Sequence, residues 1–200
     1  MSDSIRIERL VGEEIASRLH ELARLRITVF REFPYLYEGS MEYEEKYLQT
    51  YINAPESVLV LALGGERVVG SSSGIPLSDE VPEFRLPFEQ HGYDVDKIFY
   101  FAESVLLPAY RGRGIGAQLF DTREAYARSL GRFEFATFCV VERPADHPRR
   151  PPDYVPLDAF WKRRGYEKHP ELRTTFSWQD LDEEAESPKP MVFWLKRLKD

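Results

Sequence analysis

The run Arg111-Gly112-Arg113-Gly114-Ile115-Gly116-Ala117 holds the densest chemistry in the chain. Glycines at alternate positions leave backbone N–H groups free to converge on one anion, and a helix starting beside them adds the partial positive charge of its N-terminus. Ile115, Leu119, Thr122, Tyr126 and Leu130 recur at about 3.6 residues and predict such a helix from near Gly114. Arg111 and Arg113 add full charges. The ligand this turn suits is a polyanion such as a pyrophosphate.

An ordinary strand-to-helix turn would need only isolated glycines. A dinucleotide-binding turn is a second alternative, because Gly112, Gly114 and Ala117 fit G-x-G-x-x-A, with Glu134 roughly 20 residues on as the ribose partner. That motif belongs near the first strand of a doubly wound domain, whereas more than half of this chain precedes it.

Upstream of the turn, Glu103 stands alone among apolar residues in the run Ile98 to Leu107. A desolvated carboxylate has a raised pKa, as a general base requires. The structural alternative is a buried Glu paired with an arginine, Arg26 or Arg31. His20, His91, His147 and His169 have no metal-ligand spacing, and no nucleophilic serine or cysteine motif accompanies His147, so neither a metal site nor a catalytic histidine is expected. Cys139 is the only cysteine. It sits in an apolar run and reads as a buried structural thiol, with no disulfide framework and no companion base for covalent acyl transfer.

The elements that must hold these residues follow from periodicity and punctuation. Ile5 to Arg9 alternates as a short strand, and a helix from Glu13 carries Ile15, Leu19, Leu22, Arg26, Val29 and Phe33 on one face until Pro34 stops it. Phe33 to Gly39 forms an aromatic loop, and a second helix carries Met41, Tyr43, Tyr47, Leu48 and Tyr51, with Glu42, Glu44 and Glu45 as a solvated face. Ser57 to Leu63 and Arg67 to Ile75 are strands of a hairpin turned at Gly64-Gly65-Glu66. Ser78 to Lys97 is a polar insertion with a helix over Val81 to Gln90, and long insertions of this kind are often functional.

Ile98 to Leu107 is the central strand. Phe133 to Val141 lies parallel beside it, because a crossover helix intervenes. After a proline-rich loop, Glu142 to Pro156, a short helix from Leu157 to Arg164 ends at Gly165. Leu172 to Trp178 and Pro190 to Leu198 close the sheet, joined by the acidic run Asp180 to Glu186. Val192, Phe193, Trp194 and Leu195 supply either a dimer edge or more core.

Two hundred residues, 42% hydrophobic and 14% aromatic, suit a single domain with a real core. A net charge of −7 argues against nucleic-acid binding and favours amines over phosphates at the surface. The chain is polar from Ser2 onward and contains no run of about 18 apolar residues, so a soluble cytoplasmic protein without membrane association is expected.

Val105 to Ala117 closely resembles motif A of the GNAT superfamily of acyl-CoA-dependent N-acetyltransferases, with Leu106, Pro108, Tyr110, Arg111, Gly114 and Gly116 at the motif positions. Phe160-Trp161-Lys162-Arg163-Arg164-Gly165-Tyr166 resembles motif B. The resemblance is specific over about Ile98 to Tyr166. It implies an α/β GNAT fold, a mixed central sheet of about six to seven strands flanked by helices. It also implies acetyl-CoA as co-substrate and direct transfer to a primary amine.

By the same resemblance, the central strand splays from its parallel neighbour, and Val105, Leu106 and Leu107 pair with the pantetheine arm. Arg111 through Ala117, including Gly112, Arg113 and Ile115, hold the pyrophosphate, and Trp161 packs on the arm. Glu103 matches a frequent position of the base. Tyr35, Tyr37, Glu38 and Tyr43 are candidate acceptor contacts, since the helix-loop-helix region covers that site in the family. Motif B departs from its common form, because Trp161 replaces a tyrosine that protonates the departing thiolate. Tyr154, Tyr166 or water would substitute.

A lysine-like amine is neutral only about once in 2,500 at pH 7, a penalty of roughly 4.6 kcal/mol, so a base matters more than an acid here. The acidic and aromatic loop points to a small cationic amine as acceptor, with a protein amine or a non-catalytic acyl-CoA-binding module as alternatives.

Overall fold

Strand β2 (Val58–Gly64) shows how the molecule is layered. Leu59, Leu61 and Leu63 pack into one core and Val58, Val60 and Ala62 into another, on opposite faces of the sheet. In the computed structural model, which describes residues 4–198, both faces are covered by helices. Ser2, where the polar N-terminus begins, lies outside those residues.

One face carries α1 (Leu19–Phe30), α2 (Met41–Asn53) and α3 (Pro82–Gln90), and the other α4 (Ile115–Ser129) and the short α5 (Asp158–Arg163). The remaining strands are β1 (Ile5–Val11), β3 (Arg67–Pro76), β4 (Ile98–Tyr100), β5 (Ser104–Leu106), β6 (Phe135–Val141), β7 (Glu167–Trp178) and β8 (Ser187–Arg197). Their order is β1-β2-β3-β4-β6-β8-β7, with β5 paired to β3 beside that path. The β4–β6 pair is parallel. The other pairings between these strands are antiparallel.

The hairpin turn lies where its glycines require, with Gly65 at φ +63°. The sheet has eight strands rather than six or seven, because the expected central strand is two. β4 follows β6 through Tyr100 opposite Thr137, and Phe101 N–H donates to the Thr137 carbonyl at 2.7 Å. Beyond that point the chain keeps its bonds to β3, with Ala102 N–H on the Ser73 carbonyl and Ser73 N–H on that of Glu103, both at 3.1 Å. Only the β6 side is released. The result is a wedge between β5 and the second half of β6.

Three further expectations change. The first helix begins as a 3-10 turn over Gly12–Arg18 and becomes α-helical only at Leu19, because Gly12 is at φ +53° and Glu14 turns back to accept from Val11 N–H at 2.9 Å. It also ends at Phe30, ahead of Pro34. The closing strands are longer than periodicity indicates, since β7 is interrupted by a register shift between His169 and Arg173. Val192 to Leu195 are buried in β8, between β6 and β7, so they complete the core and offer no dimer edge. Among the described residues no helix is long and apolar enough to cross a membrane.

Candidate active site

The glycine turn folds as its sequence requires. Gly112 and Gly114 take φ +73° and +76°, and Gly114 caps α4 directly. The first-turn N–H groups of α4 have no carbonyl within the helix to bond. A Cβ added at Gly112, Gly114 or Gly116 would meet nothing within 4 Å, so open space faces the turn. That space is a cleft of about 1140 Å³, bounded by Gly112, Gly114, Gly116 and Ala117 at one end and by the β5/β6 wedge at the other. Val105 and Leu106 form one wall and Phe138 to Val141 the facing one. Leu107 does not contribute, because its N–H donates to the Val69 carbonyl at 2.9 Å.

The two arginines of the turn divide. Arg111 lines the cleft, held by Glu32 at 2.8 Å and by its own bond to the Leu106 carbonyl at 3.1 Å. Arg113 lies outside it, its guanidinium 5.4 Å from the centre of the Tyr110 ring. Ile115 points into the core. Further positive charge comes from Arg149, Arg150 and Lys168 on the opposite rim, none of which the glycine motif signals. Glu134 sits at the far end of β6, away from the cleft, so the dinucleotide alternative loses its ribose partner.

At the wedge the cleft meets a smaller cavity of about 100 Å³, and Phe30, Tyr35, Ala102, Glu103 and Cys139 line both. Tyr37, Tyr43, Tyr47, Phe84, Tyr100, Phe176 and Trp178 complete its aromatic wall. The insertion thus reaches this cavity through Phe84 of α3. Its charged groups are Arg26, Glu44 and Glu103. Arg26 Nε–H donates to Glu44 Oε2, and Nη1 lies 2.5 Å from Glu103 Oε2, a close ionic contact at a poor hydrogen-bond angle. Glu103 is therefore ion-paired to Arg26, the structural alternative from sequence, and it also faces the junction.

Glu44 reverses its expected place. It is 0% exposed, and its Oε1 makes no well-aligned hydrogen bond among the described residues, although the Tyr37 phenol lies beside this carboxylate. Its spacing gives it away in retrospect, since Glu44, Leu48 and Tyr51 share one helical face and the latter two are core. Glu38 is the residue at the surface, ion-paired with Arg31 at 2.9 Å and outside the cavity. Burial, then the Glu44 charge and a hydrogen bond to that carboxylate, push the Tyr37 phenol up; burial and the Glu44 charge do so for Tyr43, and burial for Tyr35.

The candidate acids separate as well. Tyr166 is 1% exposed, packed against Phe101, Phe120 and Phe138 with its hydroxyl donating to Glu124 at 3.3 Å, so it cannot reach the cleft. Tyr154 lines the cleft, half-buried against Phe33, and burial raises its phenol. Trp161 lines the cleft while packing on Phe138 and Trp194, so its cleft and core roles coincide. Burial pushes the Cys139 thiol up to about 12, which leaves it inert as a nucleophile at neutral pH. Among the described residues, no cluster of His, Cys, Asp or Glu could hold a metal ion.

A wedged parallel pair, an anion cradle at the mouth of the wedge and an ionisable cavity at its depth define an acyltransferase architecture. The sequence profile described as acetyltransferase (GNAT) family matches residues 21–150, and the chain belongs to that family. Solved structures agree on the fold. Arabidopsis thaliana NAA60 in complex with a bisubstrate analogue is 13% identical, with a TM-score of 0.63 over 98% of this chain and 100% of that one. A GNAT-family acetyltransferase from Staphylococcus aureus Mu50 is 13% identical, with a TM-score of 0.59 over 98% and 100%. Aminoglycoside 6'-acetyltransferase type Ii is 15% identical, with a TM-score of 0.58 over 98% of each chain. Curated proteins include no match in sequence.

Proposed function

We propose that the protein transfers the acetyl group of acetyl-CoA to a small cationic primary amine held in the aromatic cavity. The observation that carries this reading is the buried Glu44 carboxylate in the cavity lining, whose Oε1 makes no well-aligned hydrogen bond although the Tyr37 phenol lies beside the carboxylate. Leaving such an atom unmet costs about 1–3 kcal/mol or more, and an ammonium N–H would satisfy it. With Arg26 against Glu44 and Glu103, the cavity's formal charge is −1, which also favours a cation. Its volume of about 100 Å³ favours a small amine over a folded protein segment.

The residues present fit the co-substrate. Gly112, Gly114, Gly116, Ala117 and Arg111 would hold its pyrophosphate, and the walls made by Val105, Leu106 and Trp161 would hold its arm. Acetyl-CoA supplies a thioester whose thiolate leaves readily. The chain's own part is to present the amine at the junction, where the Glu103 carboxylate draws the ammonium in and orients it. Tyr154 is the cleft phenol placed to act as an acid. NAA60, described with acetyl-CoA in another of its structures, supports the same co-substrate for this chain.

The test is calorimetric titration with acetyl-CoA, CoA and NAD, followed by assay of CoA release with phenethylamine, spermidine and a lysine peptide. Acetyl-CoA binding, no NAD binding, and turnover fastest with the small amine are expected. Binding without turnover on any amine would favour a non-catalytic module instead. No binding of acetyl-CoA by the folded protein would remove the proposal altogether.

A further inference from the structure

Arg26 ties down Glu103, so that carboxylate is poorly placed to keep a proton taken from an amine. Tyr47, which lines the same cavity, leads elsewhere. Its hydroxyl is 2.9 Å from that of Tyr51, and Tyr51 donates to Glu80 Oε1 at 2.9 Å. Because the Tyr51 proton is committed to Glu80, Tyr51 accepts from Tyr47, and every bond in the chain points away from the cavity. Glu80 is 4% exposed, just before α3, and its other oxygen accepts only the Val81 N–H at 3.2 Å. Among the described residues no lysine or arginine is ion-paired with it.

Granted the transferase activity proposed above, we infer that Tyr47, Tyr51 and Glu80 form a relay that carries the proton lost by the amine to Glu80. The ammonium N–H passes its proton to Tyr47 oxygen, Tyr47 passes its own to Tyr51, and Tyr51 passes its own to the Glu80 carboxylate. Both phenols end neutral, the amine ends neutral, and Glu80 ends as a carboxylic acid.

The groups facing Glu80 are consistent with that task. Tyr47 and Tyr51 come from α2, Arg26 from α1, Tyr100 from β4, Glu103 from the break after it and Cys139 from β6. Burial raises Glu80 to about 7, against the opposing pull of the Tyr51 and Val81 bonds. It is thus a stronger base than an exposed glutamate by roughly a hundredfold or more. Both phenols are pushed well up by burial, so they pass protons on rather than ionise.

Infrared titration of the full chain, with Glu80→Gln identifying the carboxyl band, tests the end of the relay. A band titrating near pH 7, moved upward in Tyr51→Phe by loss of the donor, is expected. A Glu80 still ionised at pH 5 overturns the relay whatever the activity. With acetyl-CoA and phenethylamine, kcat should rise with pH through about 7. In Glu80→Gln and Tyr51→Phe it should fall roughly 100-fold with the amine KM unchanged, and Glu80→Asp should recover part of the loss. Unaltered kcat and pH profile in both variants overturn the relay but leave the transferase standing. A wild-type protein that acetylates no amine overturns both.

Discussion

Arg123 Nη1 donates to the backbone carbonyl of Glu103 at 2.7 Å, just past the point where the chain has left β6 while staying bonded to β3. The same guanidinium donates to the Ser73 carbonyl at 2.8 Å and, through Nη2, to Ser104 Oγ at 3.0 Å, with its flat face 4.1 Å from the centre of the Phe101 ring. It thus reinforces the two backbone bonds that keep Ala102 and Glu103 on β3. Burial is severe enough to lower Arg123 to about 10, yet it remains charged at neutral pH.

Arg123→Met fills the same space but takes the second, charged donor from two carbonyls that keep their backbone N–H partners, and removes the donor to Ser104 Oγ. A loss of about 2–4 kcal/mol in urea unfolding is expected, together with weaker acetyl-CoA binding, because the Glu103-Ser104 segment loses its support. Full stability with lost binding would instead assign Arg123 to the ligand directly.

Arg26→Leu exposes the opposite problem. Glu44 and Glu103 would face each other in an aromatic cavity without their cation, at a cost of about 3–5 kcal/mol at pH 8. Protonation relieves repulsion between carboxylates, so the deficit should shrink at pH 5. Parallel urea titrations at the two pH values check this, and an equal loss at both would show that packing, not charge, is what Arg26 supplies.

The glycine turn, the hairpin and the crossover are legible in the sequence because each rests on local rules of φ, spacing and chain reversal. The wedge is not. Ile98 to Leu107 reads as one apolar strand, and β3 does bond it almost throughout. Only the pairing with β6 on the other side is lost, after Phe101, and no local pattern of residues marks where two neighbouring strands part. Glu44 and Glu38 exchange places for a similar reason: a carboxylate among tyrosines gives no sign of facing in or out until the helix phase is fixed by Leu48 and Tyr51. Tyr166 matched a motif by position, while its depth in the core depends on Phe101, Phe120 and Phe138 from three other segments.

Glu80 predicts an unusual pH dependence of stability. Its folded value of about 7 lies above the ordinary 4.5, so the neutral form is the one the fold favours. Its contribution is fully present below about pH 4.5 and is lost progressively as pH rises to 7. The span corresponds to about 3 kcal/mol. Glu80→Gln should therefore gain about that much on the wild type between pH 4.5 and 8. Thermal unfolding across this range tests it, and a constant difference would mean that Glu80 titrates normally.

The pyrophosphate cradle yields the sharpest separation between neighbouring residues. Arg111 lines the cleft and Arg113 lies over Tyr110, although both belong to one glycine turn and carry the same charge. Arg111→Ala should weaken acetyl-CoA binding about tenfold, the loss of one charge-assisted contact. The effect should diminish at high salt, since a partly exposed ion contact is screened. Arg113→Ala should stay within about twofold of wild type, because screening and distance leave it little to contribute. Calorimetry on the two variants at low and high salt decides the matter. Equal losses would mean that the turn grips its anion through general positive charge, whereas a loss confined to Arg111 would fix the direction from which the pyrophosphate enters the wedge.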